Sequence, residues 1–257
     1  MKSNKMLHRC AALLCALLAT PASSGVFSVS PVRIYMSPQE RATAVTVVNE
    51  GDETVVMQAD LFAWRQTPGG DDELIPTDDL ILSPPILTLA PRARQVVRLA
   101  RLSKNPPAEQ VTYRMIMREV VEARAKEGQQ TVQVALAFSI PVFITPPKAK
   151  RLVECQAVRD AAGAGGFSAR CTNSGAAYAQ PREFILKAGD GSVLASRDSG
   201  GYILPGARRA FELKRAAPAD SAVPAGAAGA AGTGGATALA VTFDDSVTEV
   251  FAVSVDP

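Results

Sequence analysis

Few side chains in this 257-residue chain could do covalent chemistry, and most of those lie at its start. The single histidine, His8, and two of the four cysteines, Cys10 and Cys15, fall within residues 1–25. The rest of the chain holds no histidine, two cysteines (Cys155 and Cys171), 24 basic residues and 25 acidic ones. Without histidine it can build neither a Ser-His-Asp nor a Cys-His centre, nor a zinc site that uses imidazole. It carries no GxSxG elbow, P-loop, HExxH or CxxC motif, and no Ser-x-x-Lys pair. Gly163, Gly165 and Gly166 come near a dinucleotide pattern but open no helix. The acidic groups Asp71–Glu73, Asp78–Asp79 and Asp244–Asp245 fall in turn-like segments and read as solvated turns, without the spaced oxygen ligands of a calcium loop. The near-neutral balance and sparse aromatics give no nucleic-acid surface. No catalytic residue, metal or cofactor is expected.

The remaining chemistry is oxidative. Met1–Arg9 is basic, Cys10–Ala19 is apolar, and Thr20–Gly25 is small and helix-breaking, which is the pattern of a signal peptide over residues 1–25. Its apolar run is about half of the ~20 residues that span a bilayer, so the mature chain is expected to be exported, with no membrane insertion. Cys155 and Cys171 then face an oxidising compartment, where an even count favours a disulfide. The runs RLVECQAV and FSARCTN flank the turn GAGG, and folding the hairpin about residue 163 sets Cys155 opposite Cys171.

The elements that would carry these residues are strands. Alternating or β-branched runs cover residues 55–64, 80–83, 86–89, 95–102, 112–121 and 131–144, separated by turn signals such as TPGGDDE, APRAR and SKNPPAE. The spacing predicts an all-β chain of two immunoglobulin-like β-sandwich domains, 26–146 and 147–257, joined by a Pro-rich linker. The second carries a low-complexity insertion over 216–236. One run stands out. Val132, Val134, Leu136, Phe138, Ile140 and Val142 form an unbroken apolar ridge on a strand of about 14 residues, against a usual 5–6. Pro141, Pro146 and Pro147 suit an edge strand. Such a ridge either fills its own core or extends the sheet of a partner.

The stretches VSPVRIYM, LAPRARQVVRL, TYRMIMREV and VALAFSIPVFITP, in that order, resemble the PapD-like periplasmic pilus-assembly chaperones. The SIPVFI ending and TYR opening are most similar to their archaic, Csu-type branch. The resemblance implies two domains in an L shape and a periplasmic, non-enzymatic role. In that role the protein lends its G strand (about 130–146) to an unfinished pilin subunit and delivers it to an outer-membrane usher. The donor residues would be Val132, Val134, Leu136, Phe138 and Ile140. The resemblance also implies basic residues that anchor the subunit's C-terminal carboxylate. Arg33 matches the first anchor, whereas Pro141 stands where the family's better-known branch has a lysine. The strand before the G strand runs antiparallel to it, and a turn near residue 127 would bring Arg114 beside residues 139–141. Arg33 and Arg114 are therefore the expected clamp, with Arg94 and Arg98 as lesser members. Self-association through the donor strand is a further expectation for the free protein. The alternative is an exported structural or adhesive β-sandwich protein, such as a pilus or surface component.

Overall fold

The computed structural model describes residues 27–103, 107–120, 135–159, 166–216 and 236–253. The segment 1–25, the ridge residues Val132 and Val134, the turn residues Gly163 and Gly165, and nearly all of the 216–236 insertion lie outside the described residues. Within the described residues every regular element is a strand. The first ten are β1 (Phe27–Ser30), β2 (Ile34–Met36), β3 (Ala42–Asn49), β4 (Val55–Gln66), β5 (Asp72–Pro76), β6 (Leu80–Ser83), β7 (Ile86–Leu89), β8 (Arg94–Arg101), β9 (Val111–Glu119) and β10 (Ala137–Ile144). The remainder are β11 (Val153–Arg159), β12 (Phe167–Asn173), β13 (Pro181–Ala188), β14 (Val193–Asp198), β15 (Arg208–Arg215), β16 (Ala236–Phe243) and β17 (Thr248–Ala252).

Strands β1 to β10 make a sandwich of immunoglobulin-like type. One sheet has the order β1-β3-β8-β6, and the other β2-β10-β9-β4-β5 with β7 also on β4. Period-two alternation decides which side chains meet between the sheets. Val45 and Val47 of β3 and Val97 and Leu99 of β8 face Met57 of β4, Met115 and Met117 of β9 and Val142 of β10, all fully buried. Burial of each such side chain contributes about 1.5–3 kcal/mol.

The second unit is a single sheet in the order β11-β12-β15-β14-β13-β16-β17, and β11 comes back against β16 and β17. Its core gathers Phe184, Leu186, Phe211, Leu239, Val241 and Phe243. Cys155 and Cys171 are opposed in the β11–β12 register and joined by a disulfide. Two residues of the first sandwich, Trp64 of β4 and Phe143 of β10, pack into this second core. They lie on the outer face of the six-stranded sheet, which is why the end of β10 is buried on both sides. The Gln66 side chain locks the junction, donating to the Tyr202 carbonyl and accepting from the Leu204 amide. At Gly70, with φ at +91°, a Cβ would lie 2.6 Å from the Arg208 carbonyl oxygen, so this turn admits only glycine against β15.

Candidate functional site: the open edge of β10 and the cleft beside it

Strand β10 has two halves. Residues Val142–Ile144 pair in parallel with Ile34–Met36 of β2, whereas Ala137–Pro141 have β9 on one side and no strand on the other among the described residues. The Glu119 amide donates to the Leu136 carbonyl, so Leu136, Phe138 and Ile140 direct their backbone groups to β9. Ala137, Ser139 and Pro141 then direct theirs to the open edge. Pro141 therefore costs no bond to β9, because its missing N–H falls on the outer side.

The apolar ridge changes character along this half. Val142 and Ile140 are in the core of their own sandwich, with Ile140 only 2% exposed. Phe138 is half-buried, its ring 4.8 Å from that of Phe27. Leu136 is 37% exposed. The expectation that Ile140 belongs to the donor ridge is corrected: the opposite sheet covers it, and its side chain is committed to the fold. The described strand is also shorter than the expected run, since Ala135 and Leu136 precede β10 and residues 131–134 lie outside the described residues. The ridge leaves its own core between Ile140 and Leu136.

The second feature is the cleft at the far end of β10. Arg33, just before β2, donates from Nη1 to Asp244 Oδ2 at 3.0 Å and to the Tyr35 hydroxyl at 3.0 Å, and from Nη2 to Gln180 Oε1 at 2.8 Å. Asp244 follows β16 and also accepts from the Tyr178 hydroxyl at 3.0 Å. Burial works against the Arg33 charge, but the Tyr35 hydrogen bond and the surrounding tyrosines hold its pKa above the ordinary value. Burial, the Tyr35 hydrogen bond and the Asp244 charge push the Tyr178 phenol up.

Arg114 lies in register with Pro141. Its guanidinium sits 3.7 Å from the Trp64 ring centroid and 5.4 Å from that of Tyr202, while Arg33 reaches the same Tyr202 ring at 5.5 Å. The two arginines thus meet at Tyr202. They differ in partners. Among the described residues Arg114 has no carboxylate or carbonyl hydrogen-bonded to it. Burial lowers its pKa, with Asp72 opposing. Stacking on an indole holds a guanidinium in place and leaves its N–H fork unspent. Arg94 and Arg98 are corrected: both are exposed on β8 in the four-stranded sheet, and the structure does not bring them to this cleft.

The groove at Arg33 measures about 740 Å³ and is lined also by Tyr35, Gln110, Lys150, Tyr178 and Asp244. Gln110 ties its wall by donating to Thr145 Oγ1 and accepting from the Tyr178 amide. The pair Asp244–Asp245, expected as a solvated turn, is instead a clasp. Asp244 holds Arg33, and Asp245 holds Arg151, which Glu249 also pairs. Sequence reasoning also missed Trp64, Tyr178, Gln180 and Tyr202. Their only signal was large or amide side chains in an aromatic-poor chain, and nothing in their spacing joined them. Among the described residues no group of three or more His, Cys, Asp or Glu is placed to hold a metal. No helix there is long and apolar enough to cross a membrane.

Residues 26–150 match the family model described as pili and flagellar-assembly chaperone, PapD N-terminal domain. The chaperone protein LpfB of Salmonella typhimurium is 22% identical over 148 residues, which is 56% of this chain and 60% of that protein's length. Among solved structures, a chain of the archaic CsuC–CsuE chaperone–tip adhesion subunit complex of Acinetobacter baumannii is 18% identical, with a TM-score of 0.59 over 90% of this chain and 100% of that one. The YadV chaperone gives 17% and 0.56 over 88% and 97%. A chain of the Salmonella enterica SafA pilin–SafB chaperone complex gives 10% and 0.56 over 90% and 98%. These likenesses show a shared two-domain, immunoglobulin-like fold.

Proposed function

Since residues 26–150 place the chain in the pili and flagellar-assembly chaperone family through their PapD N-terminal domain, we propose that it is a periplasmic chaperone that captures unfinished pilin subunits. The family is not one of enzymes, in keeping with a chain that lacks histidine beyond residue 25. In this reading the subunit lacks its last strand, and residues ahead of Ile140 supply it. The backbone of Ala137, Ser139 and Pro141 pairs with an extended strand of the subunit. Leu136, together with Val132 and Val134, fills the subunit's apolar groove, and Phe138 marks where the ridge leaves its own core. Arg114 and Arg33 receive the subunit's terminal carboxylate. The chaperone then passes the subunit to an outer-membrane usher.

The observation that carries this reading is the open edge of β10, which bears an apolar ridge running out of its own core at Leu136. A long apolar edge is an aggregation hazard unless a partner covers it. Residues 1–25 act as the export signal, and residues 26–146 and 147–257 as the two domains. The test is co-purification of the tagged protein from periplasm with mass-spectrometric identification of what it holds. A pilin subunit bound one-to-one supports the reading. Recovery of this chain itself in shed fibres, with no subunit bound, would support a structural component instead.

A further inference from the structure

The two arginines of the cleft stand in different states. Among the described residues Arg114 is stacked and has its N–H fork free, whereas Arg33 is already occupied by a carboxylate of its own chain. We propose that Asp244 is an internal stand-in for the subunit's terminal carboxylate: it holds Arg33 in the free protein, and capture exchanges it for the incoming group. This rests on the reading of Arg33 and Arg114 as the anchor.

The surroundings of Asp244 are built for an exchange. Its backbone amide is fixed to the Gln180 carbonyl, so release needs only a side-chain rotation. Its Oδ2 also accepts from Tyr178, so on losing Arg33 the carboxylate keeps a hydrogen-bond donor and is not orphaned. Gln180, which accepts from Arg33 Nη2, is neutral and yields to a charged competitor more readily than a second carboxylate would. The adjoining groove is open and roomy enough for a chain end. The consequence is selectivity. A stray anion must beat Asp244 for Arg33 with nothing else to offer. A chain end that also pairs with β10 brings backbone bonds and reaches Arg114 as well. Specificity then comes from an element that opposes the wrong ligand as well as one that attracts the right one.

The test uses the full mature chain and N-acetylvaline as the carboxylate probe, with N-acetylvaline amide as its neutral twin, read by the backbone amide NMR signals around Gln180. Asp244→Asn should bind the carboxylate about tenfold more tightly than the wild type, with no gain for the amide. Tyr178→Phe should bind it more weakly, because Asp244 then has no partner to fall back on. A folded Asp244→Asn protein whose carboxylate affinity is unchanged or reduced overturns the proposal. If Asp244→Asn does not fold, Tyr178→Phe decides alone: weaker binding supports the exchange, and unchanged or stronger binding refutes it. Arg33→Ala separates the underlying reading. If it keeps the wild-type preference for carboxylate over amide, Arg33 is not an anchor, whatever Asp244 does.

Discussion

Pro141 of β10 lies directly opposite Arg114 of β9, at the position where the open edge of β10 gives way to pairing with β2. Proline there takes no bond from β9, and the arginine across the ladder carries the positive charge beside it. The charge rests on Trp64, which fixes the guanidinium within reach of the cleft. The edge that would receive a partner strand and the cation that would receive its end are thus built into adjacent strands.

Arg114→Ala should cost about tenfold or more in affinity for the subunit, since a hydrogen bond to a charged group contributes roughly 1.5–3 kcal/mol. Arg114→Lys should recover part of the loss, because the charge remains while the planar fork and the stacking are lost. Titration of purified subunit–chaperone exchange measures both. Equal affinity for wild type and Arg114→Ala would remove Arg114 from the anchor.

Leu136→Asp and Ile140→Asp should behave in opposite ways. Leu136 is partly exposed, so its aspartate variant should keep the wild-type thermal midpoint and fail to retain a subunit. Ile140 is in the core, so its aspartate variant should be unfolded or strongly destabilised. Circular dichroism melts paired with pull-down yields give the comparison. A stable Ile140→Asp protein would show that this strand position is not structural.

Replacing both Cys155 and Cys171 by alanine should lower stability by about 3 kcal/mol, the loop-entropy value for closing some 15 residues. Both sulfurs lie in the second core, whereas the open half of β10, Ala137–Pro141, belongs to the first sandwich, so subunit capture should survive at low temperature. Urea unfolding with and without reductant reads the difference. A loss below about 1 kcal/mol would mean that the hairpin register, and not the bridge, holds these strands.

Acid should loosen the Asp245 clasp. The hydrogen bond from Arg151 holds the Asp245 carboxyl below its ordinary value of 3.8. Its contribution is therefore complete above that value and is lost as pH falls through the lower, folded-state value. As pH falls below 3.8 the wild type should lose thermal stability more steeply than Asp245→Asn. Parallel slopes would show that the pair contributes nothing to folding.

Much of the first sandwich was legible in the sequence because period-two alternation and turn residues act locally. The runs at 55–64, 80–83, 86–89 and 95–102 correspond to β4, β6, β7 and β8 within a few residues. The mirror spacing about residue 163 carried the Cys155–Cys171 register. Alternation could not say where along β10 the ridge stops being core, because that depends on the reach of the opposite sheet. Ile140 and Leu136 look alike in sequence and differ in burial. The cleft was legible only in part. Antiparallel pairing placed Arg114 beside Pro141, but Asp244 comes to Arg33 from 211 residues away, and no local pattern encodes that meeting. Arg94 and Arg98 share the charge of Arg114 but sit on the other sheet, which their types and local context do not reveal.

The central claim is that the open edge of β10 is where a partner strand adds. Hydrogen–deuterium exchange of the Ala137 and Ser139 amides tests it most directly, because these two face away from β9. In the free protein both should exchange rapidly, and in the complex with its co-purified subunit both should become strongly protected. Unchanged exchange at Ala137 and Ser139 in a demonstrably intact complex would contradict the account.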